Sequence, residues 1–405
     1  PLELAAASGA LGELLREAGR YGESAPLLAL AVQQAIAAQG PDHPDVAAYL
    51  LNEGNLLRAT GDLAGASLRY ERALAIFEAA HGPDHPFVAT ALTNVAGLAS
   101  GLGDGASARP LLERAVAIYE KTLPPDHEFL ATGLNNLGTR QLNDGDLEAA
   151  FATLTRAAQV WERSLGPAHP STVTGWRNVA TTLLASGRAA DAATLLGEVA
   201  SRAAAVLPTN HPAVAGARVQ QAEALSWAGD QVAALALYRT ALPVLEAGLG
   251  ADHPDLAWPL TDLARSERLV GDEEAARAAL TRVEGIVRRQ ILPLLDATSE
   301  RERILLLQSL RHHADLALSV FDRPSDAASA YRALLAWKGA ALGSLLAQRA
   351  VARAGADPKS QETAMALVAT RQDLAELVFA RDAPDRAARM KALATKKEAL
   401  ERALS

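Results

Sequence analysis

Residues 40–86 read GPDHPDVAAYLLNEGNLLRATGDLAGASLRYERALAIFEAAHGPDHP, and the stretch begins and ends on the same five letters. Pro44 suits the first turn of a helix, where the N–H it lacks would be unpaired in any residue. His43, or Asp42 just before it, occupies the cap region. Leu50, Gly54 and Leu57 then recur at helical spacing. Gly61 stops this helix by permitting a left-handed turn. Asp62 caps a second helix, which carries Leu63, Ala66, Tyr70, Ala73, Leu74 and Phe77 along one side until Gly82-Pro83 ends it. The small residues Gly54 and Ala66 let the two antiparallel helices approach closely.

Outward from this stretch the same pattern returns. His43, His85, His127, His169, His211 and His253 stand 42 residues apart, each followed by proline except at Glu128. Gly19, Gly61, Gly103, Gly145, Gly187, Gly229 and Gly271 form a second column, with Asp or Arg after each. Ala66, Ala108, Ala150, Ala192, Ala234 and Ala276 form a third. A fourth is always small: Gly54, Ala96, Gly138, Ala180, Ala222 and Ala264. Internal repeats of this length are the signature of a solenoid. The register predicts an all-α fold of seven helix pairs over residues 1–295, followed by a helical extension over 296–405.

Composition agrees with that reading. Apolar residues make up 49% of the chain but aromatics only 4%, so the core is built on small side chains packed closely. The net charge is −8. Residues 1–295 hold 33 acidic and 22 basic side chains, with Lys121 their one lysine; residues 296–405 hold 14 and 17. An acidic body so poor in lysine lacks the basic stripe that a nucleic-acid partner requires. No run approaches about 18 consecutive apolar residues, the length of a membrane span. The absence of cysteine rules out thiolate metal sites and a cysteine nucleophile in these residues. It also fits a reducing, cytoplasmic setting. Because the chain starts at Pro1 without a methionine, a piece of a longer protein is expected.

The glycine, alanine and small columns resemble those of the tetratricopeptide repeat. The period of 42 instead of the usual 34, with the turn Gly82-Pro83-Asp84-His85-Pro86, is similar to the kinesin-light-chain subtype. The resemblance covers residues 3–295. The first pair departs from it, with Ala10 and Ser24 in columns that are polar and alanine elsewhere, which fits a cap at a solenoid end. The resemblance implies a right-handed superhelical solenoid with first helices on the concave face. It also implies that Asn52, Asn94, Asn136, Asn178, Gln220 and Asp262 face the groove or its edge. An amide offers a donor and an acceptor, so this ladder could hold the backbone of an extended protein or peptide ligand. Asn55, Thr90, Thr93, Thr132, Asn135, Arg177 and Thr181 would supply selectivity. The competing reading is that the asparagines only tie one helix to the next. A carboxylate clamp for a chain terminus would need lysines on these helices, and there are none.

The histidines do not read as metal ligands. Equivalent positions in stacked helices lie about 10 Å apart, whereas zinc needs its ligands within about 2.1 Å of one ion. Turn and cap roles are expected for the column, and an exposed or packed pair for His312-His313. No cofactor is implied, since no G-x-G-x-x-G, phosphate-loop or H-E-x-x-H motif occurs.

After Pro293 the register stops but the helical pattern continues. Ser299 and Glu302 form a capping box before Ile304, Leu305 and Leu306. Breaks fall at Arg323-Pro324-Ser325, Gly355-Ala356-Asp357-Pro358 and Asp382-Ala383-Pro384, and the last helix carries Leu393 and Leu400. The strings Tyr331–Gly339 and Lys396–Ser405 resemble the segment that joins tetratricopeptide repeats to the CHAT domain, a caspase-like cysteine peptidase of bacterial proteins. That likeness implies a regulatory, ligand-sensing solenoid with the peptidase following Ser405. The chain itself holds no cysteine, so it is not expected to be the enzyme. The other reading is a stand-alone scaffold resembling a kinesin light chain.

Overall fold

The computed structural model describes residues 2–60, 62–101 and 105–291, together with isolated helical positions beyond 315. Gly61, Gly103, His312-His313 and nearly all of the predicted 299–405 helices lie outside the described residues. Among the described residues the regular structure is entirely helical. The chain divides into two compact units, residues 1–209 and 210–405.

The first unit holds five helix pairs: Leu2–Glu17 (α1) with Tyr21–Gln39 (α2), Pro44–Ala59 (α3) with Leu63–His81 (α4), Pro86–Gly101 (α5) with Gly105–Thr122 (α6), Glu128–Asn143 (α7) with Leu147–Leu165 (α8), and Pro170–Ala185 (α9) with Ala189–Ala204 (α10). The second holds Pro212–Ala228 (α11) with Gln231–Leu249 (α12), and Ala257–Leu269 (α13) with Glu273–Ile286 (α14). A short 3-10 turn, Pro254–Leu256, leads into α13, and a π-helical turn, Val287–Ile291, extends α14. In each unit helices pack on their chain neighbours.

The histidine column sets where first helices begin. In all six repeats Nδ1 of the histidine accepts the backbone N–H two residues on, at 3.1–3.2 Å. This resolves the cap of α3 in favour of His43 over Asp42. Asp62, Asp230 and Asp272 cap second helices by accepting a backbone N–H at 2.9–3.1 Å. Where arginine replaces the aspartate it pairs with the first turn instead: Arg20 with Glu23 at 2.7 Å and Arg188 with Asp191 at 2.6 Å. Between the helices of a pair, Gly145 (φ +83°) and Gly229 (φ +95°) adopt the left-handed conformation that the turn requires.

The small column has a sharper role than expected. It does face the alanine column: Ser24, standing in that column in the first pair, donates to the carbonyl of Gly12 at 2.7 Å. Its main partner, however, is the large residue four positions past the alanine. A Cβ on Gly54 would lie 2.5 Å from Cε1 of Tyr70, and one on Gly138 would lie 2.6 Å from Cγ of Leu154. Tyr70, Leu154 and, in the second unit, Tyr238 are wholly buried at this position. The first unit's main core runs from Ala5 through Tyr70, Leu92 and Leu130 to Ala157. The second unit's runs from Ala215 through Tyr238 and Leu260 to Val287. Ala317 and Val320 are buried with Ala264, Ala276 and Leu280, so part of the extension adds to the last helix pair. By length and composition α12 is apolar enough to cross a membrane. It stands in the second-helix position of its pair, with Ala234, Tyr238 and Ala241 buried.

Candidate functional site

In the first unit the backbones of successive first helices, α1, α3, α5, α7 and α9, approach one another closely. Successive second helices are bridged by long charged side chains instead. Arg114 of α6 reaches Glu78 of α4 at 2.8 Å, Arg156 of α8 pairs with Glu120 of α6, and Arg202 of α10 reaches Glu162 of α8 at 2.6 Å. Lys121 and Arg163 meet Asp84 and Asp126 in the turns at 2.5 and 2.6 Å. Close contact on one side and long bridges on the other put the first helices on the inside of the curve within this unit. The ion pairs that link successive second helices therefore lie on the outside.

Three columns run along the inner side at i, i+4 and i+7, the spacing of one helix face. The first is Ala48, Thr90, Thr132 and Thr174; the second is Asn52, Asn94, Asn136 and Asn178; the third is Asn55, Gly97, Thr139 and Thr181. All twelve are exposed or half-buried, and none is charged. The amides differ in what they are free to do. Asn52, Asn94 and Asn136 make no side-chain hydrogen bond among the described residues, and their half-buried side chains reach solvent. Asn178 donates through Nδ2 to Oδ1 of Asn135 at 2.9 Å, tying α9 to α7. Asn55 accepts from the Tyr70 hydroxyl at 2.7 Å, which commits its oxygen to the pair's own packing. Arg177 and Gln220 are also engaged within the chain. Thr132 and Thr181 donate to carbonyls of their own helices, while Thr90 shares a hydrogen bond with the Tyr119 hydroxyl at 2.9 Å. Asn135 and Asn178 thus tie helices, whereas Asn52, Asn94 and Asn136 make no such tie among the described residues.

In the second unit the corresponding face changes character. Asp262 is buried and lies 2.8 Å from Arg265. The Arg265 guanidinium sits 4.2 Å from the centre of the Trp227 ring, itself 59% exposed. Burial pushes the Asp262 carboxyl up to about 7; Arg265 opposes this and Glu223 adds to it. The sequence pattern carried a signal for this site. Position 227 belongs to a column of small or polar residues, Ala59, Gly101, Asn143 and Ala185, which Trp227 and Leu269 break.

The histidines have their Nδ1 atoms occupied as cap acceptors, a role that competes with metal binding through that nitrogen. One repeat adds a second imidazole. His81 stacks on His85 with ring centroids 4.3 Å apart, beside Phe77 and Phe87. At this position the first joint carries Gln39 and the later ones Leu123, Leu165, Leu207 and Leu249. Desolvation first, then the neighbouring His81, holds the His85 imidazole below the ordinary histidine range.

A family model described as tetratricopeptide repeat matches residues 3–79, 69–121, 129–205 and 213–289. No curated protein matches the chain. Among solved structures, RapI in its apo form is 12% identical, covers 70% of this chain and 97% of its own, with a TM-score of 0.52. Aspartyl phosphate phosphatase F from Bacillus subtilis is 16% identical, covers 69% of each chain, and has a TM-score of 0.51. TPR-like repeats attributed to a Podosopora anserina kinesin light chain are 22% identical, covering 51% of this chain and 99% of theirs, at a TM-score of 0.48. At these identities the likeness concerns the fold.

Proposed function

This chain belongs to the tetratricopeptide-repeat family, and from that premise we propose that it is a scaffold that holds a protein partner along the inner side of its first helices. The observation that carries the proposal is the set of open amides, Asn52, Asn94 and Asn136, repeated at 42-residue intervals on an uncharged face. An amide donates and accepts at once, so it can hold the backbone of an extended segment whatever its side chains. No group on this face is arranged for catalysis; the chemistry it supports is recognition.

The test is a peptide array read with the intact chain and with a triple Asn52→Ala, Asn94→Ala, Asn136→Ala variant whose helical content is confirmed by circular dichroism. Three lost hydrogen bonds at about 1 kcal/mol each predict a loss of at least tenfold in affinity. Unchanged affinity for every peptide bound by the parent overturns the reading.

A finer role is proposed on narrower grounds. The likeness of Tyr331–Gly339 and Lys396–Ser405 to the segment before a CHAT domain supports a regulatory, sensing half of a caspase-like peptidase. The alternative is an adaptor with no enzyme attached. The coding sequence beyond Ser405 separates them. An α/β region with one histidine and one cysteine in dyad context supports the first, and a stop codon directly after Ser405 removes it.

A further inference from the structure

We propose that the inner face of the first unit selects an uncharged peptide segment in the polyproline-II conformation, with one three-residue turn per repeat. This deepens the reading of that face as a peptide site and rests on it. Three observations lead to it.

The first is charge. The chain has a net charge of −8, yet the three inner columns carry none in α3, α5, α7 and α9, and the Glu13 that α1 places in the third column is paired with Arg16 at 2.6 Å. Glu53 at the edge of α3 is neutralised by Arg69 at 2.6 Å, and Arg177 on α9 is engaged within the chain. On the outer side, Arg114, Arg156 and Arg202 pair with Glu78, Glu120 and Glu162 across second helices. A charged ligand would give up its hydration on this face without a counter-charge in return, so a neutral segment is the complementary one.

The second is the amide ladder. The open side chains of Asn52, Asn94 and Asn136 belong to three successive first helices that touch one another. Packed helices lie about 8–10 Å apart. A polyproline-II chain rises about 3.1 Å per residue with three residues per turn, so it repeats the same face every ~9.3 Å. A β-strand repeats every two residues, about 6.6 Å, and would meet successive amides with opposite faces. The polyproline-II backbone also has no internal hydrogen bonds, which leaves its carbonyls open to an Asn Nδ2 donor.

The third is room. Ala48, Thr90, Thr132 and Thr174 flank the ladder on one side, and Gly97 on the other meets nothing within 4 Å of where a Cβ would stand. Small side chains leave the amides accessible to a main chain, and a preformed ligand helix limits the ordering cost on binding.

The experiment uses the full chain and four fluorescent decapeptides, capped at both ends: oligoproline, a neutral Thr/Val strand former, an acidic and a basic peptide. Anisotropy titrations are run at about 0.05 and 0.5 M salt. The expected result is tightest binding to oligoproline, shifting less than about twofold with salt, and weakened about tenfold in an Asn94→Ala, Asn136→Ala double variant. Preference for the strand former, or for a charged peptide with steep salt dependence, overturns this inference. If that preferred peptide also loses affinity in the double variant, the inner face remains a peptide site and only its ligand class was wrong. If no peptide binds, or none responds to the double variant, the inference falls together with the reading beneath it.

Discussion

Asp262 shows how one side chain can depart from its column and still keep the column's chemistry. Outside the first pair its equivalents are Asn52, Asn94, Asn136, Asn178 and Gln220, all amides. Burial raises the Asp262 carboxyl to about 7 from an ordinary 3.8, so near neutral pH it is protonated about half the time and, like an amide, can donate. The sign of the linkage is fixed by that direction. Between about pH 4 and 7 the folded chain holds a proton here that the unfolded chain has released, so this group's contribution is present at pH 4 and is lost as pH rises through 7. Asp262→Asn removes the dependence. Its stability relative to the parent should climb with pH over that window by up to about 4 kcal/mol, the value of a three-unit shift, and level off above it. Denaturant midpoints at pH 4, 5.5, 7 and 8 check this, and a flat difference would mean that the carboxylate stays charged beside Arg265. The one sign of this site in the sequence was the large side chain at 227; the acid at 262 did not by itself show its burial, since a column position records the residue type and not the Arg265 and Trp227 packed nearby. The glycines were more legible, but their partners were not. Gly138→Ala gains helix propensity of about 1 kcal/mol yet drives a methyl into Leu154, so a net loss of about 1–2 kcal/mol is expected. Gly97→Ala gains the propensity with nothing in the way and should stabilise by up to about 1 kcal/mol. Thermal melts of the two variants, moving in opposite directions, separate packing glycines from merely tolerated ones.

At the scale of the element, helix starts were readable from the sequence because each is set by local chemistry. A His-Pro pair places an acceptor at the cap and a residue without an N–H in the first turn, and no tertiary contact is needed for that. The joint between α4 and α5 was not readable, because His81 enters it from the end of the preceding helix, where Leu123, Leu165, Leu207 and Leu249 stand in later repeats. Burial of His85, with His81 adding to it, gives this joint an acid sensitivity. His85 is held below its ordinary range, so its stabilising contribution is complete above about pH 6.5 and is lost as pH falls through the lowered value. The charged groups around it are already committed, Glu78 to Arg114 and Asp84 to Lys121. His81→Leu removes the second imidazole and restores the residue of the later repeats. An NMR titration should then find His85 moved up toward the ordinary range. An unmoved titration would assign the shift to burial alone.

For the whole molecule, a period of 42 fixes what each repeat is, but not where the run of repeats divides. The four columns pass residue 209 without a change in register, and the change in charge balance near 296 made that the visible boundary. Compactness also gives a division within the repeats, at 209/210. The physical reason is that a repeat's columns record how a helix meets its own partner, while division depends on how much apolar surface successive pairs share, which no single column reports. Each unit has its own core, one around Tyr70, Leu92 and Leu130, the other around Tyr238, Leu260 and Ile286. Solenoid stability is a sum of repeat and nearest-neighbour terms, so five successive packed pairs should stand without the rest. Residues 1–209 expressed alone are therefore expected to be helical and to unfold in one cooperative transition, and a matched peptide should bind them as it binds the full chain, since Asn52, Asn94 and Asn136 all lie in that part. Circular dichroism melts and the same anisotropy titration decide the matter. A fragment that is helical but melts over a broad range would show that the first five pairs draw their cooperativity from beyond residue 209. A fragment that folds cooperatively but fails to bind would show that the amide ladder by itself is not a sufficient site.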